Sequence, residues 1–223
     1  MDHTENLNYI ESVTEIKTGY LFWKRFLDIV LSVLAFVPLL IISIPVAIAI
    51  LIEDGYPIFY TQTRVGKDKK EFKLYKFRSM KKNAEEIHEQ MKLEYGVDEV
   101  SFKLKDEDDP RVLKVGHVIR KFNIDELPQL INIIKGDMSL VGPRPLPKYE
   151  ADDTDQLYGN KYDLRYRVPQ GLTCYWQVAD RANVTYEDRM EMDCRYAKEA
   201  NLRIDVKLVV QTARYAVVGK AEY

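Results

Sequence analysis

Residues 29–52 read IVLSVLAFVPLLIISIPVAIAILI, a run of 24 residues without one charged side chain. At about 1.5 Å per residue, a helix of this length reaches roughly 36 Å, which exceeds the roughly 30 Å hydrocarbon layer of a bilayer. The run is too long for the apolar core of a signal peptide and follows a polar leader, so we expect it to stay in the mature protein. This stretch predicts a membrane-embedded protein.

Prolines and flanking charges indicate how this run sits in the bilayer. Pro38 lies in the middle of the run and Pro45 follows it, and each removes a helix hydrogen-bond donor. Basic residues lie on both sides of the run, and the positive-inside preference places both flanks in the cytoplasm. These flanking residues are Lys17, Lys24 and Arg25 before the run, and Arg64, Lys67, Lys69, Lys70, Lys73 and Lys76 after it. The sequence therefore favours a re-entrant helix broken near Pro38 over a helix that spans the bilayer.

Length and composition limit the 223-residue chain to one domain plus the membrane segment. The net charge of -2 argues against a nucleic-acid partner, because no positive excess exists to neutralise a phosphate backbone. Cys174 and Cys194 match neither a zinc pattern nor a disulfide framework, which favours reduced thiols. We divide the chain into a polar leader (residues 1–20), the re-entrant membrane helix (residues 21–54) and a cytoplasmic domain (residues 55–223).

The pattern of the cytoplasmic domain predicts an α+β, mainly helical fold with a short β-hairpin and amphipathic interfacial helices. Two β-prone runs, residues 57–62 and 71–78, flank the turn signal Gly66-Lys67-Asp68. Apolar residues recur at helical spacing in residues 84–95 and 127–134, and residues 186–218 predict two amphipathic helices broken near Asn201. Residues 142–145 predict a rigid turn and residues 152–155 an acidic loop.

Asp125 and Glu126 are the candidate catalytic residues. They directly precede the helical pattern of residues 127–134, so we expect them at a helix N-terminus, where the helix dipole favours ionised carboxylates. Such a carboxylate can act as a nucleophile or hold Mg²⁺, although helix capping explains the same pair without any chemistry. Candidate phosphate-binding residues are the basic side chains Lys76, Arg78, Arg120 and Arg144. The residues alone point to magnesium-assisted phosphoryl chemistry at a membrane.

Three motifs carry a resemblance to a known family. They are YKFRSM at residues 75–80, DELPQL at residues 125–130 preceded by Arg120, and KGDMSLVGPRP at residues 135–145. The chain from about Lys24 to Val218 resembles the monotopic phosphoglycosyl transferases, also called bacterial sugar transferases. The length and order of the block from residue 125 to residue 145 make the resemblance highly specific.

The resemblance implies an enzyme that moves a sugar 1-phosphate from a nucleotide diphosphosugar, with uridine diphosphate as the expected carrier, onto polyprenyl (undecaprenyl) phosphate. It implies that Asp125 is the nucleophile, that Glu126 positions Mg²⁺, and that Arg78, Arg120 and Arg144 surround phosphate. By the same resemblance, residues 55–223 form the catalytic domain at the cytoplasmic face of the bacterial inner membrane, in contact with phospholipid. The expected product begins a lipid-linked glycan such as capsule or exopolysaccharide. Homodimer formation is left open.

Two departures from the family pattern and two alternative functions stay open at this stage. Val37-Pro38 stands where many members have Ser-Pro, and the turn Val168-Pro169-Gln170-Gly171 has its proline displaced by one residue, so no site role is assigned to that turn. The alternatives are a catalytically silent scaffold of a glycan-assembly complex and a polyprenyl diphosphate phosphatase.

Overall fold

The longest element is helix α1, which runs from Thr18 to Asp54 and contains the charge-free run. A computed structural model describes residues 18–95, 109–179 and 184–218. Within these ranges, α1 is the one helix long and apolar enough to cross a membrane. Only 11% of its most apolar 18-residue segment is buried inside the protein. Its large apolar side chains are therefore open to the surroundings, as Ile41 and Ile52 show with 71% and 82% exposure. This exposure is consistent with a membrane-associated helix.

The predicted break near Pro38 does not end α1, because helical residues continue through both Pro38 and Pro45. A proline can interrupt the hydrogen-bond ladder of a helix without terminating it. The re-entrant course stays a prediction, since the extent of the helix alone does not give the path of α1 through a bilayer.

A β-hairpin follows α1 and confirms the turn signal at Gly66-Lys67-Asp68. Strands β1 (Phe59–Val65) and β2 (Glu71–Phe77) flank a short 3-10 turn at Lys67–Lys69. The two-residue strand β4 (Leu146–Pro147) joins β1 in antiparallel fashion, with Val65 opposite Leu146, which gives the strand order β2-β1-β4.

Helices make up most of the remaining described chain. They are α2 (Ala84–Tyr95), α3 (Lys114–Lys121), α4 (Gln129–Lys135), α5 (Lys148–Tyr158), α6 (Tyr186–Glu199) and α7 (Leu202–Val218), with 3-10 turns at Ile124–Glu126 and Asp163–Arg167. Strand β3 (Ser139–Val141) pairs in parallel with β5 (Gly171–Thr173). The helix predicted from residue 84 and the break near Asn201 are confirmed. The N-terminus of α6 is fixed by a capping box between Thr185 and Asp188.

The acidic loop predicted at residues 152–155 is wrong, because these residues lie inside α5. Ala151 and Thr154 face the interior, while Asp152 pairs with Lys148 one turn earlier on the exposed side. The acidic residues lie on the solvent-exposed face of an amphipathic helix. In the sequence they make the short apolar face of the same helix hard to recognise.

The chain folds into two compact units. Among the described residues, the first unit contains residues 18–35, Gln62–Leu74 and residues 129–179 and 184–218, and the second contains Phe36–Thr61 and residues 75–95 and 109–128. The core of the first unit includes Val65, Leu146, Tyr166 and Met190 in one cluster, and Val141, Leu164, Tyr196 and Leu208 in another. The core of the second unit contains Val46, Ile50, Phe77, Leu113 and Ile119. Each unit thus uses a different part of α1.

In the first unit, a buried lysine ties α1 to the rest of the fold. Lys24 is only 3% exposed, and its ammonium group donates to Asp205 at 2.9 Å, to the Val141 carbonyl at 2.8 Å and to the Tyr196 hydroxyl at 3.2 Å. Burial, reinforced by Asp205, raises the pKa of Tyr196 well above its usual value, so its hydroxyl keeps the proton that it donates to Asp205. The charge of Lys24 is therefore neutralised inside the protein.

Two neighbouring side chains of α1 extend this polar attachment. The Asp28 carboxylate accepts hydrogen bonds from the Ser139 hydroxyl and the Leu140 backbone N–H. The Arg25 guanidinium donates to the carbonyls of Ile133 and Ile134 at the end of α4. Lys24 and Arg25, which we used as flanking charges to predict topology, thus also hold α1 in place.

Both cysteines are free thiols within the protein. Burial raises the pKa of Cys174 to about 12 and that of Cys194 to about 11. The thiols therefore stay protonated at neutral pH, which suits structural rather than reactive cysteines.

Candidate active site

Asp125 and Glu126 lie on the 3-10 turn Ile124–Glu126 in the second unit. We expected them at the N-terminus of the following helix, but that helix begins only at Gln129. The reason is Pro128, which has no N–H to donate back along the chain, so the turn closes with the shorter bonds from Glu126 to Asn123 and from Leu127 to Ile124. Asp125 and Glu126 therefore precede α4 and do not lie in its first turn, where a helix dipole favours negative charge.

The backbone of Asn123 starts this turn. Asn123 has a φ of 54°, in the left-handed region that asparagine tolerates better than most residues. The turn brings Asp125 into a buried position, with 8% of the surface of the whole residue, backbone included, exposed. A buried carboxylate on a short, tightly bonded turn has a fixed direction, which a nucleophile or a metal ligand requires.

Lys76 of β2 faces both carboxylates. Its ammonium group donates to Glu126 at 2.9 Å and lies 3.9 Å from the nearer oxygen of Asp125. Lys76 therefore holds Glu126 by a direct hydrogen bond. Its interaction with Asp125 is an electrostatic attraction over a distance longer than a hydrogen bond. All three side chains are largely buried, with 19% exposure for Lys76, 12% for Asp125 and 14% for Glu126. The structure thus brings three of the predicted site residues together.

Arg78, a predicted phosphate-binding residue, lies at the end of α1. Its guanidinium donates to the Gly55 carbonyl at 2.5 Å and to the Asp54 carbonyl at 3.2 Å, and it lies 3.1 Å from the Asp54 carboxylate. Arg78 is 6% exposed. These contacts satisfy the last carbonyls of α1 and anchor β2 to that helix, which is a structural task.

Arg120 is positioned by the close packing of α3 against Ser79. A Cβ atom on Gly116 would lie 2.2 Å from the Ser79 carbonyl oxygen, so only glycine allows this approach. Arg120 follows one turn later on the same helix face and donates from Nε to the Ser79 hydroxyl at 2.9 Å. The Nε bond fixes the base of the Arg120 guanidinium.

Arg144 belongs to the first unit, in the rigid turn between β3 and β4. Gly142 and Gly171 meet there so closely that a Cβ on Gly142 would lie 2.1 Å from the Pro169 carbonyl oxygen. The Gly171 N–H donates to the Pro143 carbonyl, and the fully buried Gln170 side chain donates to the carbonyls of Arg165 and Val168. The turn with the displaced proline therefore supports the loop that carries Arg144, a role that we did not predict from the sequence.

Two further residues near Arg144 escaped the sequence analysis. Trp176 lies under the guanidinium of Arg144, with 5.8 Å between the Arg144 Cζ and the ring centroid, and under that of Arg189, at 4.9 Å. Arg189 is on α6, 45 positions away from Arg144 in the sequence. No spacing rule links such positions, so only the fold shows that they meet.

The carboxylate pair has suitable donor chemistry for Mg²⁺. Among the described residues, no group of three or more histidine, cysteine, aspartate or glutamate side chains could hold a metal by itself. Mg²⁺ does not need such a group, because it commonly takes one or two protein carboxylates and completes its shell with water and substrate phosphate. Asp125 and Glu126 therefore fit a magnesium ion that arrives with a phosphorylated substrate.

Comparison with known proteins places this arrangement in a family. The family model described as bacterial sugar transferase matches residues 19–219, nearly the whole chain. The chain belongs to the bacterial sugar transferase family. The match includes α1, the turn with Asp125 and Glu126, and the loop with Arg144, so it confirms the resemblance carried by the sequence motifs.

Individual bacterial sugar transferases are similar to the chain over most of its length. It is 37% identical, over 91% of its residues, to "Galactosyl transferase CpsE" of Streptococcus agalactiae. It is 36% identical, over 90% of its residues, to "UDP-glucose:undecaprenyl-phosphate glucose-1-phosphate transferase" of Escherichia coli. It is 35% identical, over 90% of its residues, to "Exopolysaccharide production protein ExoY" of Sinorhizobium fredii.

These relatives differ in length from the chain. It spans 44% of the Streptococcus protein and 41% of the Escherichia protein, so the similarity covers less than half of each. It spans 88% of the Sinorhizobium protein, which is therefore a relative of similar size. The shared part in every case contains the Asp125 turn, so this bacterial sugar transferase region is common to long and short members.

Proposed function

We propose that the chain transfers a sugar 1-phosphate from a uridine diphosphosugar to undecaprenyl phosphate and so begins a lipid-linked glycan. The observation that carries the proposal is the cluster of Asp125, Glu126 and Lys76, a buried pair of adjacent carboxylates against one lysine. The names of the Escherichia relative and of "Undecaprenyl-phosphate galactose phosphotransferase" of Salmonella typhimurium support the substrate classes. A scaffold would not need such a cluster, because burying carboxylates costs stability unless they are paired.

Transfer would proceed through a covalent intermediate on Asp125. A carboxylate oxygen of Asp125 attacks the sugar-bearing β-phosphorus, the bond from that phosphorus to the bridging oxygen breaks, and uridine monophosphate leaves. An oxygen of undecaprenyl phosphate then attacks the same phosphorus, which releases Asp125 and forms the undecaprenyl diphosphosugar. Lys76 holds Glu126 in place throughout and adds positive charge near the developing phosphoryl oxygens.

Mg²⁺ held by Glu126 and the substrate diphosphate would supply charge neutralisation of the phosphoryl oxygens. Arg120 would hold remaining oxygens of the substrates, since a guanidinium binds phosphate through two parallel N–H groups. Arg78 would also fix β2, and thus Lys76, because its Nη2 donates to the carbonyls of Asp54 and Gly55.

A covalent intermediate predicts trapping of labelled sugar phosphate. The full chain in lipid nanodiscs, given Mg²⁺ and a uridine diphosphosugar labelled at the β-phosphate, should retain the label when acceptor is withheld. Later addition of undecaprenyl phosphate should move the label to the lipid, and double-reciprocal plots should be parallel, because the first product leaves before the acceptor reacts. A panel of sugars in the donor would identify the sugar.

Other outcomes of the same experiment distinguish the alternatives. Intersecting plots without trapped label contradict the covalent step and indicate direct transfer in a ternary complex. Release of inorganic phosphate from undecaprenyl diphosphate, without uridine monophosphate, would indicate the phosphatase instead.

We also propose that α1 is re-entrant, so that the cluster faces the cytoplasm, where nucleotide sugars are made. The support is the basic character of both flanks of the apolar run. Single cysteines replacing Thr18 and Asp68, in a chain lacking Cys174 and Cys194, should resist an impermeant thiol reagent outside intact cells. Both should react after lysis. Labelling at position 68 from outside would show a spanning helix and contradict cytoplasmic catalysis.

A further inference from the structure

The last turn of α1 carries two adjacent carboxylates, Glu53 and Asp54, and no basic residue. The dipole of a helix places partial negative charge at its C-terminal end, so two carboxylates in this position destabilise the helix. Contacts outside α1 must offset this cost. Both side chains make such contacts, and all of these contacts lie within the second unit.

Glu53 caps the N-terminus of α3. Its two carboxylate oxygens accept hydrogen bonds from the backbone N–H groups of Lys114 at 2.6 Å and of Val115 at 2.9 Å. The N-cap residue of α3 is Leu113, whose apolar side chain cannot accept either bond. A carboxylate from another helix therefore supplies the cap, and the positive end of the α3 dipole favours its charge.

Asp54 holds the segment that follows β2. Its carboxylate accepts a hydrogen bond from the Lys82 backbone N–H at 3.1 Å and lies 3.1 Å from the guanidinium of Arg78. Arg78 directly follows the last residue of β2, the strand that carries Lys76. Asp54 therefore fixes the end of β2 two residues beyond the lysine of the site.

Helix α3 connects its capped N-terminus to the turn with Asp125 and Glu126. Its eight residues reach about 12 Å at about 1.5 Å per residue. At its C-terminal end, the Asn123 N–H donates to the Arg120 carbonyl at 3.0 Å, and the Glu126 N–H donates to the Asn123 carbonyl at 3.2 Å. A displacement of α3 at its N-terminus would therefore move the carboxylate turn as well.

The two segments held by these carboxylates also bond to each other. The Leu113 N–H donates to the Ser79 carbonyl at 3.0 Å, and the Lys81 N–H donates to the Arg111 carbonyl at 2.8 Å. The end of α1, the start of α3 and residues 78–82 therefore form a closed set of contacts. Each member of such a set limits the movement of the other two, and a catalytic site requires this rigidity.

We propose that Glu53 and Asp54 are positioning residues for phosphoryl transfer. They fix α3 and β2 relative to each other, and thereby the distance from Lys76 to the carboxylates of the 3-10 turn. Lys76 lies 2.9 Å from Glu126 and 3.9 Å from Asp125, and a shift of about 1 Å breaks a hydrogen bond of this length. A misplacement of that size can lower a rate about 100-fold. This inference rests on the proposed function and assigns the end of α1 a part in it.

Amide hydrogen exchange tests the Glu53 contact without turnover. In Glu53→Gln the side chain keeps its shape, but one accepting oxygen is replaced by an NH2 group that cannot accept a hydrogen bond. With the full chain in nanodiscs, the amides of Lys114 and Val115 should exchange about tenfold faster in the variant, because the first turn of α3 opens more often. Unchanged exchange at these two amides would overturn the proposal.

Single-turnover trapping of labelled sugar phosphate separates positioning from folding. Glu53→Gln and Asp54→Asn should each reach the wild-type amount of trapped label per chain, but about tenfold more slowly, because misalignment raises the barrier without removing the nucleophile. KM for the nucleotide sugar should stay within about twofold of the wild-type value, since ground-state binding is retained. A reduced amount of label trapped at the wild-type rate would show a loss of folded chains and would contradict a positioning role.

The double variant Glu53→Gln/Asp54→Asn tests whether the two carboxylates act together. Because both fix the same distance, the double variant should trap label little more slowly than the slower single variant. Losses that multiply, to about 100-fold in the double variant, would show two independent contributions. That result would overturn the joint role of Glu53 and Asp54.

Glu199→Gln is the matched control. Glu199 is also a glutamate in the last turn of a helix, α6, and it pairs with Arg195 at the surface of the first unit. Its replacement should leave the trapping rate within about twofold of the wild-type rate. An equal loss of rate in Glu199→Gln would show a general effect of charge and would overturn the assignment. Failure of the proposed function would appear differently, as a wild-type chain that traps no label from any donor although its amide exchange shows the Glu53 contact.

Discussion

Asp125→Asn should abolish sugar phosphate transfer, with less than a few per cent of wild-type activity, while the protein stays folded and membrane-bound. The amide preserves the shape of the side chain on the 3-10 turn but is a poor nucleophile, so the covalent step is lost. The measurement is release of uridine monophosphate by the purified chain in nanodiscs. Retained activity above that level would refute a covalent role for Asp125.

Two further variants serve as comparisons for the loss of activity in Asp125→Asn. Glu126→Gln should also be severely impaired, and its activity should need more Mg²⁺, because one carboxylate ligand is gone. Asp152→Asn is the control, since Asp152 is an exposed carboxylate on α5 that pairs with Lys148 one turn earlier. If Glu126→Gln has an unchanged requirement for Mg²⁺, Glu126 acts by holding Lys76 and not by binding metal.

Lys24→Met should lower the free energy of unfolding by about 3–5 kcal/mol, because Asp205 would be left buried and without its counter-charge. The double variant Lys24→Met/Asp205→Leu should recover much of this loss, since it removes both charges together. Denaturant unfolding in mild detergent, followed by intrinsic fluorescence, measures the difference.

Lys148→Met is the matched control for this prediction. It breaks the exposed pair of Lys148 with Asp152, whose side chains are 45% and 48% exposed, and should change stability little. A Lys24→Met chain as stable as Lys148→Met would show that Asp205 becomes protonated or solvated at little cost, which contradicts a structural role for the buried pair.

Local signals in the sequence predict much of this fold. The apolar run predicts α1, the glycine turn predicts the hairpin, and the helical spacing beyond residue 186 predicts α6 and α7. Such signals depend on neighbouring residues and survive without tertiary context. The sequence also predicts Asp125, Glu126 and Lys76 as members of one site, and the structure brings these three side chains together.

The features that the sequence analysis missed depend on contacts between distant residues. The 3-10 turn at Asp125 follows from one missing N–H at Pro128, which a helical pattern does not reveal. The contacts of Arg78 with the carbonyls of Asp54 and Gly55 and with the Asp54 carboxylate also join residues more than 20 positions apart. The stack of Trp176 with Arg144 and Arg189 requires that β3, β5 and α6 pack together, and no local rule predicts that packing.

The buried contact of Lys24 with Asp205 has a consequence for biosynthesis. The two residues are 181 positions apart, so at a synthesis rate of about 5–20 residues per second Asp205 emerges roughly 10–40 s after Lys24. During that interval the start of α1 carries a cation whose partner does not yet exist, next to a segment that already favours lipid. A ribosome-bound chain would therefore hold this end of the helix at the aqueous boundary until α7 is complete. Insertion of α1 and closure of the first unit are then two separate events in time.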